Sequence, residues 1–341
     1  MKAKIATDLD FVIAKTRAKH SLIYEGDRLS ALVHHRALPD LAHELFPTET
    51  FASHTALERR LVVAYADSLA QLWRYMESPR DRLFIALGLR LQIENIKVRL
   101  RSYVSGLRLP PESLPVIGLP EPFRWEAEES ARPAGVQSIL DTIPEPLLRR
   151  AAGEAFVLYT DYPVPLYLEA GLDQGYLRIL GEAWRDLEAE DRRVTKPLVD
   201  LESDIHNLMF VLRARVNFNL DRAMVVRLAG GGAEDLSPAG WVSAAADGGT
   251  VREILARAPA YMQRALIDIP AELGAIEQAL WQRFYRTADR VYYRSQFNVG
   301  CPYAFAAIKR MELANLITVV EAVRYGLPAE DTLKRLLRPK G

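Results

Sequence analysis

A short pattern that recurs three times constrains the fold of this 341-residue chain more than any other feature. It consists of an acid or its amide, two spacers, an asparagine and an aliphatic residue. The copies are QIENI at Gln92–Ile96, DIHNL at Asp204–Leu208 and ELANL at Glu312–Leu316, with the asparagines Asn95, Asn207 and Asn315. These asparagines lie 112 and 108 residues apart, and such even spacing predicts a threefold internal repeat.

The similarity extends in both directions from each asparagine. Apolar residues at spacings of 3 and 4 form the stripe of an α-helix. They stand at Ile93/Ile205/Leu313, Ile96/Leu208/Leu316 and Leu100/Leu212/Val320, followed by Tyr103 or Val104, Val216 and Val323. Upstream by 35 to 39 residues, an apolar–acidic pair opens another helical run at Leu57-Glu58, Leu172-Asp173 and Ile276-Glu277. We therefore predict three helical units, called repeats 1, 2 and 3, at residues 1–115, 116–225 and 226–341.

The three asparagines are predicted to be structural residues of the repeat core. Each lies about 130° around its helix from the centre of the apolar stripe. At that position an amide either contacts a partner or satisfies the backbone of a neighbouring helix or loop. Three copies in equivalent places favour packing over a single active site. Asp204 and Glu312, which belong to the same pattern, are assigned to the same core.

Helix signals cover most of the chain, and no segment alternates as a strand would, so the fold class is all-α. Two short helices are predicted before residue 42, and the longer ones near 56–76, 81–105, 172–189, 197–217, 273–294 and 303–325. Gly106 and Gly326 are predicted C-terminal caps, whereas Thr195 and Pro197 indicate a helix start. The eight prolines of segment 109–146 and the triple glycine 230–232 indicate linkers.

Composition excludes several classes of function. Lys plus Arg equals Asp plus Glu at 44 each, so net charge gives no reason to expect nucleic acid or an anionic membrane as a partner. No apolar run reaches 18 residues, and the amino end lacks a secretory apolar region. Cys301 is the only cysteine, which excludes an internal disulfide and fits a reducing compartment. We therefore expect a cytoplasmic location.

One group of acids could serve a metal-dependent enzyme. Asp200 and Asp204 lie one helical turn apart with Glu202 between them, an arrangement that a metal-dependent enzyme could use to bind its ion. Their position after Pro197 favours a structural explanation, because a helix dipole stabilises acids in the first turns. The six histidines show no HExxH pairing, so we expect no metal and no cofactor.

The basic run 80–108 is the strongest local charge bias in the chain. Seven basic residues outnumber two acids there. The run is either a docking surface for an acidic protein or an ordinary solvated helix face. If it docks a partner, the candidate contact residues are Arg90, Lys97, Arg99 and Arg101.

Several motifs together resemble one known family. F-x3-K-x2-E-x2-N-L at Phe305–Leu316 and YGLPAEDTLKRL at Tyr325–Leu336 are similar to the end of the C subunit of V-type and A-type rotary ATPases, called subunit d in eukaryotic vacuolar enzymes. Asp10–Ile23 is similar to the opening segment of that family. Asn95–Lys97 and the D-x-x-N-L motif with Arg213 are similar to its first and second repeats. The chain departs from the family at Gln92, at Lys309-Arg310 and at Asn315-Leu316-Ile317.

The resemblance implies a funnel of three pseudo-equivalent helical units in the rotor. Such a subunit is a non-catalytic adaptor, one copy per complex, that links the central-stalk subunits to the membrane proteolipid ring. It couples ATP hydrolysis or synthesis to transport of H⁺ or Na⁺ and meets the membrane only through the ring. The alternative is a helical-repeat scaffold unrelated to ion transport, although scaffold repeats usually have periods of about 34 to 47 residues.

Overall fold

A computed structural model describes residues 9–106, 119–124, 135–143, 145–229 and 239–338, and every regular element within them is a helix. The all-α prediction is therefore confirmed. The first eight helices are α1 (Leu9–His20), α2 (Gly26–Leu32), α3 (Leu38–Leu45), α4 (His54–Trp73), α5 (Arg80–Ser105), α6 (Val136–Asp141), α7 (Pro146–Asp161) and α8 (Pro165–Arg185). They are followed by α9 (Ala189–Leu212), α10 (Arg222–Ala229), α11 (Ala239–Ala246), α12 (Val251–Leu255), α13 (Ala260–Ala265), α14 (Leu273–Arg294), α15 (Gly300–Tyr325) and α16 (Ala329–Arg335).

Glycines end two of the three asparagine-bearing helices, as the sequence predicts. Gly106 follows α5 with φ 65°, and Gly326 follows α15 with φ 63°. Only glycine adopts this left-handed conformation without steric cost, and it lets the amide turn back onto the last carbonyls of the helix. The third such helix, α9, instead passes into one π-helical turn at Arg213–Asn217.

The predicted start of α9 is wrong. The helix begins at Ala189, so Pro197 lies inside it and Thr195 is no N-cap. The buried Thr195 hydroxyl instead donates to the Asp191 carbonyl at 2.7 Å. Tertiary contacts hold the extra turns in place, because Asp191 accepts a 2.6 Å bond from Arg80 of α5. These contacts outweigh the backbone hydrogen bond that Pro197 cannot donate.

Other boundaries differ by smaller amounts. The amino-terminal segment forms three short helices instead of two. The helix predicted at 172–189 begins seven residues earlier, at Pro165, and the one predicted at 303–325 begins at Gly300. The triple glycine Gly230–Gly232 and most of segment 109–146 lie outside the described residues.

Packing divides the chain into two compact bodies. The first combines Met1–Glu77 with Trp281–Gly341, and the second is Ser78–Leu280. This partition follows contacts in space, whereas the three repeats follow similarity in sequence. The repeat boundaries at 115 and 225 stay a prediction.

In the first body, α4 packs against α15, and α1, α3 and α16 also contact α15. The core therefore joins residues from opposite ends of the chain. Its buried members are Leu29, Leu32, Val33, Leu41, Ala42, Leu57, Leu61, Leu316, Val319, Val320 and Leu336. The apolar columns predicted around Asn315 supply two of these residues, Leu316 and Val320.

In the second body, α8 packs against both α5 and α7. Two glycines on α8 allow its backbone to approach α7 closely. A Cβ added at Gly171 would lie 2.4 Å from the Cβ and 2.9 Å from the Cα of Ala155. A Cβ at Gly175 would lie 2.2 Å from the Cβ of Ala151. The small residues therefore set the separation of the two helices.

Replacing Gly171 by alanine should destabilise the protein despite the better helix propensity of alanine. The new methyl group meets backbone that cannot move aside without separating α8 from α7. Overpacking of this kind costs about 1–3 kcal/mol. Gly153→Ala in α7 is the matched control, because a Cβ there meets only Leu140 at an ordinary 3.7 Å, and it should be neutral or stabilising. Urea unfolding measures both, and equal stability of the two variants would contradict this view of the interface.

Candidate functional site

The apolar–acidic pairs that open a long helix in each repeat have one arrangement in common. Their apolar members Leu57, Leu172 and Ile276 are completely buried. Each neighbouring acid reaches a cation on the asparagine-bearing helix of another repeat, or on the turn that extends it. The ion pairs are Glu58 with Arg324 at 2.9 Å, Asp173 with Arg90 at 2.5 Å and with Lys97 at 2.7 Å, and Glu277 with Arg213 at 2.7 Å. The acid of repeat 1 thus binds repeat 3, the acid of repeat 2 binds repeat 1, and the acid of repeat 3 binds repeat 2.

The Asp173 cluster contains the most deeply buried charge of these links. Lys97 is almost completely buried, and its ammonium group bonds both Asp173 and Glu94. Arg90 bonds the same two carboxylates and lies over the ring of Tyr176. Burial alone would raise the pKa of Asp173, but Arg90 and Lys97 outweigh it and hold that pKa well below its ordinary value. The carboxylate is therefore charged and fixes α8 on α5.

The residue three positions before each asparagine anchors a segment outside its own helix. All three of these residues are buried. Gln92 donates from Nε2 to the Phe123 carbonyl at 2.8 Å. Glu312 accepts a 2.7 Å bond from the Tyr24 amide and pairs with Lys309. The third, Asp204, accepts from Trp241 Nε1 at 3.2 Å and from the Tyr261 hydroxyl.

The three asparagines are buried as well, although they lie away from the apolar stripe. Asn315 makes two 2.7 Å bonds to the backbone of Leu337, donating to its carbonyl and accepting from its amide. Asn207 accepts a 3.0 Å bond from Gln174 Nε2. Asn315 thus satisfies a neighbouring backbone, one of the two alternatives that the sequence leaves open, whereas Asn207 binds a side chain. Asn95 is buried in the corresponding turn of α5.

The four candidate contact residues of the basic run differ in how available they are. Arg90 and Lys97 are occupied by Asp173 and Glu94, and Arg101 pairs with Glu169 of α8 at 2.6 Å. Arg99 is half-buried, and burial lowers its pKa. The excess of basic residues along the run does not reveal that carboxylates of α8 pair with them in the folded protein. A role of these residues in binding a partner stays a prediction, with Arg101 the most accessible at 47% exposure of its side chain.

The carboxylates considered for a metal site have three separate sets of partners. Asp200 pairs with Lys196 at 2.8 Å, and Glu202 accepts a 2.9 Å bond from the Tyr176 hydroxyl. Asp204 binds Trp241 and Tyr261, as described above. Among the described residues, no group of three His, Cys, Asp or Glu side chains is placed to hold a metal ion. Cys301 is free and buried, and burial raises its pKa to about 11.

Together these features define the class: an all-helical protein whose sequence repeats are tied to one another by ion pairs, while Asn207 and Asn315 bond residues of their own repeats. None of the helices in the described parts of the chain is long and apolar enough to span a bilayer. The family model for the ATP synthase (C/AC39) subunit matches residues 12–335, and the chain belongs to this family. It is therefore a subunit of the rotary ATPase type. No curated protein that was compared with the chain matches it.

Removing the charge of Asp173 should be strongly destabilising. Asp173→Asn leaves Arg90 and the buried Lys97 with only Glu94, and loss of one partner from a buried ion pair costs about 3–5 kcal/mol. The matched control is Glu190→Gln, which removes the exposed pair with Arg193 and should leave stability almost unchanged. Urea unfolding at pH 7 compares the two. A small effect of Asp173→Asn would mean that the cluster does not hold α8 on α5.

Glu58 makes the stability of the protein depend on pH. Burial and a hydrogen bond with Glu321 raise its pKa from the ordinary 4.5 to about 7, against the opposing effect of Arg324. Between pH 4.5 and 7 the folded protein therefore retains a proton that the unfolded chain has lost, so this contribution to stability falls as the pH rises through that window.

We expect Glu58→Gln to remove this dependence. Relative to the unchanged protein, the variant should gain stability between pH 5 and pH 8, measured by urea unfolding at both values. The exposed Glu330→Gln is the control and should follow the unchanged protein at both. If Glu58→Gln showed the same difference in stability from the unchanged protein at pH 5 and pH 8, Glu58 would not titrate in this range.

Proposed function

We propose that this chain is the non-catalytic adaptor of the rotor, placed between the central-stalk subunits and the proteolipid ring. In this role it couples ATP hydrolysis or synthesis to transport of H⁺ or Na⁺, as one copy per complex. Family membership over residues 12–335 supports the assignment to a rotary ATPase. It also argues against the alternative of a scaffold unrelated to ion transport.

The observation that carries the adaptor role is the set of ion pairs between repeats. A part that transmits torque must keep its helices in register under a sideways load. An ion pair with fixed hydrogen-bond geometry adds a directional constraint to the close packing of apolar side chains. Glu58 and Arg324 tie together helices that lie 266 residues apart in sequence. In this proposal, a force applied to α4 is transmitted to α15 through this ion pair, and the reverse also holds.

The same links are distributed over the chain. Glu58, Asp173 and Glu277 each bind a different helix or helical extension, and each acid comes from a different repeat. Such an arrangement suits a stiff connector, whose work is shared by many contacts. In this proposal the membrane is reached only through the ring, and the chain itself holds neither nucleotide nor transported ion.

Removing the chain from its ATPase should separate hydrolysis from transport. A mechanical adaptor contributes nothing to bond cleavage, so the head should still release phosphate while ion uptake is lost. The measurement uses vesicles reconstituted with the complex, with the complex lacking this chain, and with the depleted complex after the purified chain is added back. Phosphate release and ion uptake are recorded in the same sample. Uptake that persists in normal proportion to hydrolysis without the chain would refute the proposed role.

A further inference from the structure

A row of arginines on α14 forms an exposed ridge in the first compact body. Arg286, Arg290 and Arg294 are spaced four residues apart, so they share one face of the helix, and all three are exposed. Tyr293 and Phe297 lie beside the carboxyl end of this row with exposures of 61% and 80%. We call these five residues the arginine ridge. It lies outside the basic run 80–108, and its R-x3-R-x3-R spacing is the sequence signal that could have revealed it.

No ion pair with a described residue compensates the charges of the ridge. None of the carboxylates in the described residues forms an ion pair with Arg286, Arg290 or Arg294, unlike the situation around Arg90 and Lys97. The only acid on this stretch of α14 is Asp289, which is half-buried and interacts electrostatically with His20. Like charges four residues apart repel one another along a helix. In the isolated chain the arginines therefore repel one another, and a negatively charged partner would relieve this electrostatic repulsion.

The helix beneath the ridge is firmly supported. Phe284, Tyr285 and Ala288, on the other face of the same turns, are completely buried. His20 of α1 stacks on Tyr292 with ring centroids 4.2 Å apart. Because the buried face of α14 fixes the helix backbone, a partner needs to order only the exposed side chains. This lowers the entropy cost of association.

Composition indicates what kind of partner fits. Arginine, tyrosine and phenylalanine are enriched in the central parts of protein interfaces, and exposed phenylalanine is costly to leave in water. Guanidinium groups bind carboxylates through two parallel hydrogen bonds. A helix with carboxylates at four-residue spacing would match the row, and an apolar residue next to them would cover Phe297.

We propose that the arginine ridge docks an acidic helix of another subunit of the same ATPase. This inference rests on the proposed function, because it takes the partner from the complex in which the adaptor works. The attraction is electrostatic along the arginine row and apolar at Phe297. Binding through the row should therefore weaken with salt, whereas the contribution of Phe297 should not.

The test measures binding of the purified full-length chain to its ATPase complex depleted of this subunit. The ridge variant carries Arg286→Glu, Arg290→Glu and Arg294→Glu. The control variant carries Arg227→Glu, Arg252→Glu and Arg264→Glu, three exposed arginines of the second compact body, and changes the net charge by the same amount. Helical circular dichroism and melting temperature establish that each variant is folded, and the milder triple change to Gln serves if the Glu variant is not.

We expect the ridge variant to bind at least about tenfold more weakly at low salt, with a smaller difference at high salt, because salt screens exposed charges. The control variant should bind like the unchanged chain. Phe297→Ala should weaken binding at every salt concentration. Equal binding by the ridge variant and the unchanged chain would overturn the ridge proposal alone, whereas failure of the unchanged chain to bind would overturn the adaptor role.

A second arm distinguishes a protein partner from a lipid surface. The same variants are tested on vesicles of phosphatidylglycerol and phosphatidylcholine. If the ridge variant loses binding to these vesicles but binds the depleted complex normally, the ridge recognises anionic headgroups and the proposal of a protein partner is wrong. Weakened binding to the complex, with vesicle binding absent or the same for all variants, supports the acidic helix.

Discussion

The carboxylate of Asp173, held between Arg90 and Lys97, is the interaction on which the packing of the second body depends. A buried ammonium group such as that of Lys97 is tolerated only when a carboxylate lies beside it. The helix that carries Asp173 must therefore lie on α5 in one register. The close approach of Gly171 and Gly175 to α7 then fixes the other side of the same helix. Charge and small residues together leave α8 little freedom to slide.

The three ion pairs between repeats join equivalent positions, but they differ in how much they stabilise the fold. Lys97, the partner of Asp173, keeps only 6% of its side-chain exposure, whereas Glu277 and Arg213 keep 37% and 45%, so the latter pair adds little to the free energy of unfolding. At Glu58 the acid lies beside a second acid, Glu321, and a shared cation, Arg324. The repeat is thus conserved as a pattern of contacts within this chain, while each copy differs in burial and in response to pH.

Local charge gave a misleading picture of which basic residues are available. The run 80–108 is rich in arginine, yet carboxylates of α8 and Glu94 occupy three of its four candidate contact residues. The ridge on α14 carries fewer basic residues, but none of the described carboxylates forms an ion pair with its arginines. What matters for recognition is the charge that remains after folding, and that depends on which helices become neighbours.

Much of the local structure could be read from the sequence, because its causes lie within a few residues. The spacing of apolar residues predicted the long helices, and Gly106 and Gly326 predicted two helix ends. The predicted apolar column of Leu100, Leu212 and Val320 is buried in all three repeats. Proline was the exception. Pro197 signalled a helix start, but the contact between Arg80 and Asp191 extends α9 through it.

Only the tertiary structure decided what the polar residues bind. Asn315 and Asn207 share a motif, yet one bonds the Leu337 backbone and the other the Gln174 side chain. The partners of the acids are 76 residues away for Asp173 and 266 for Glu58. A helix forms from interactions between residues about four positions apart, which the sequence displays directly. Ion pairs across such separations form only when packing brings two helices together. A local sequence pattern does not show which helices will become neighbours.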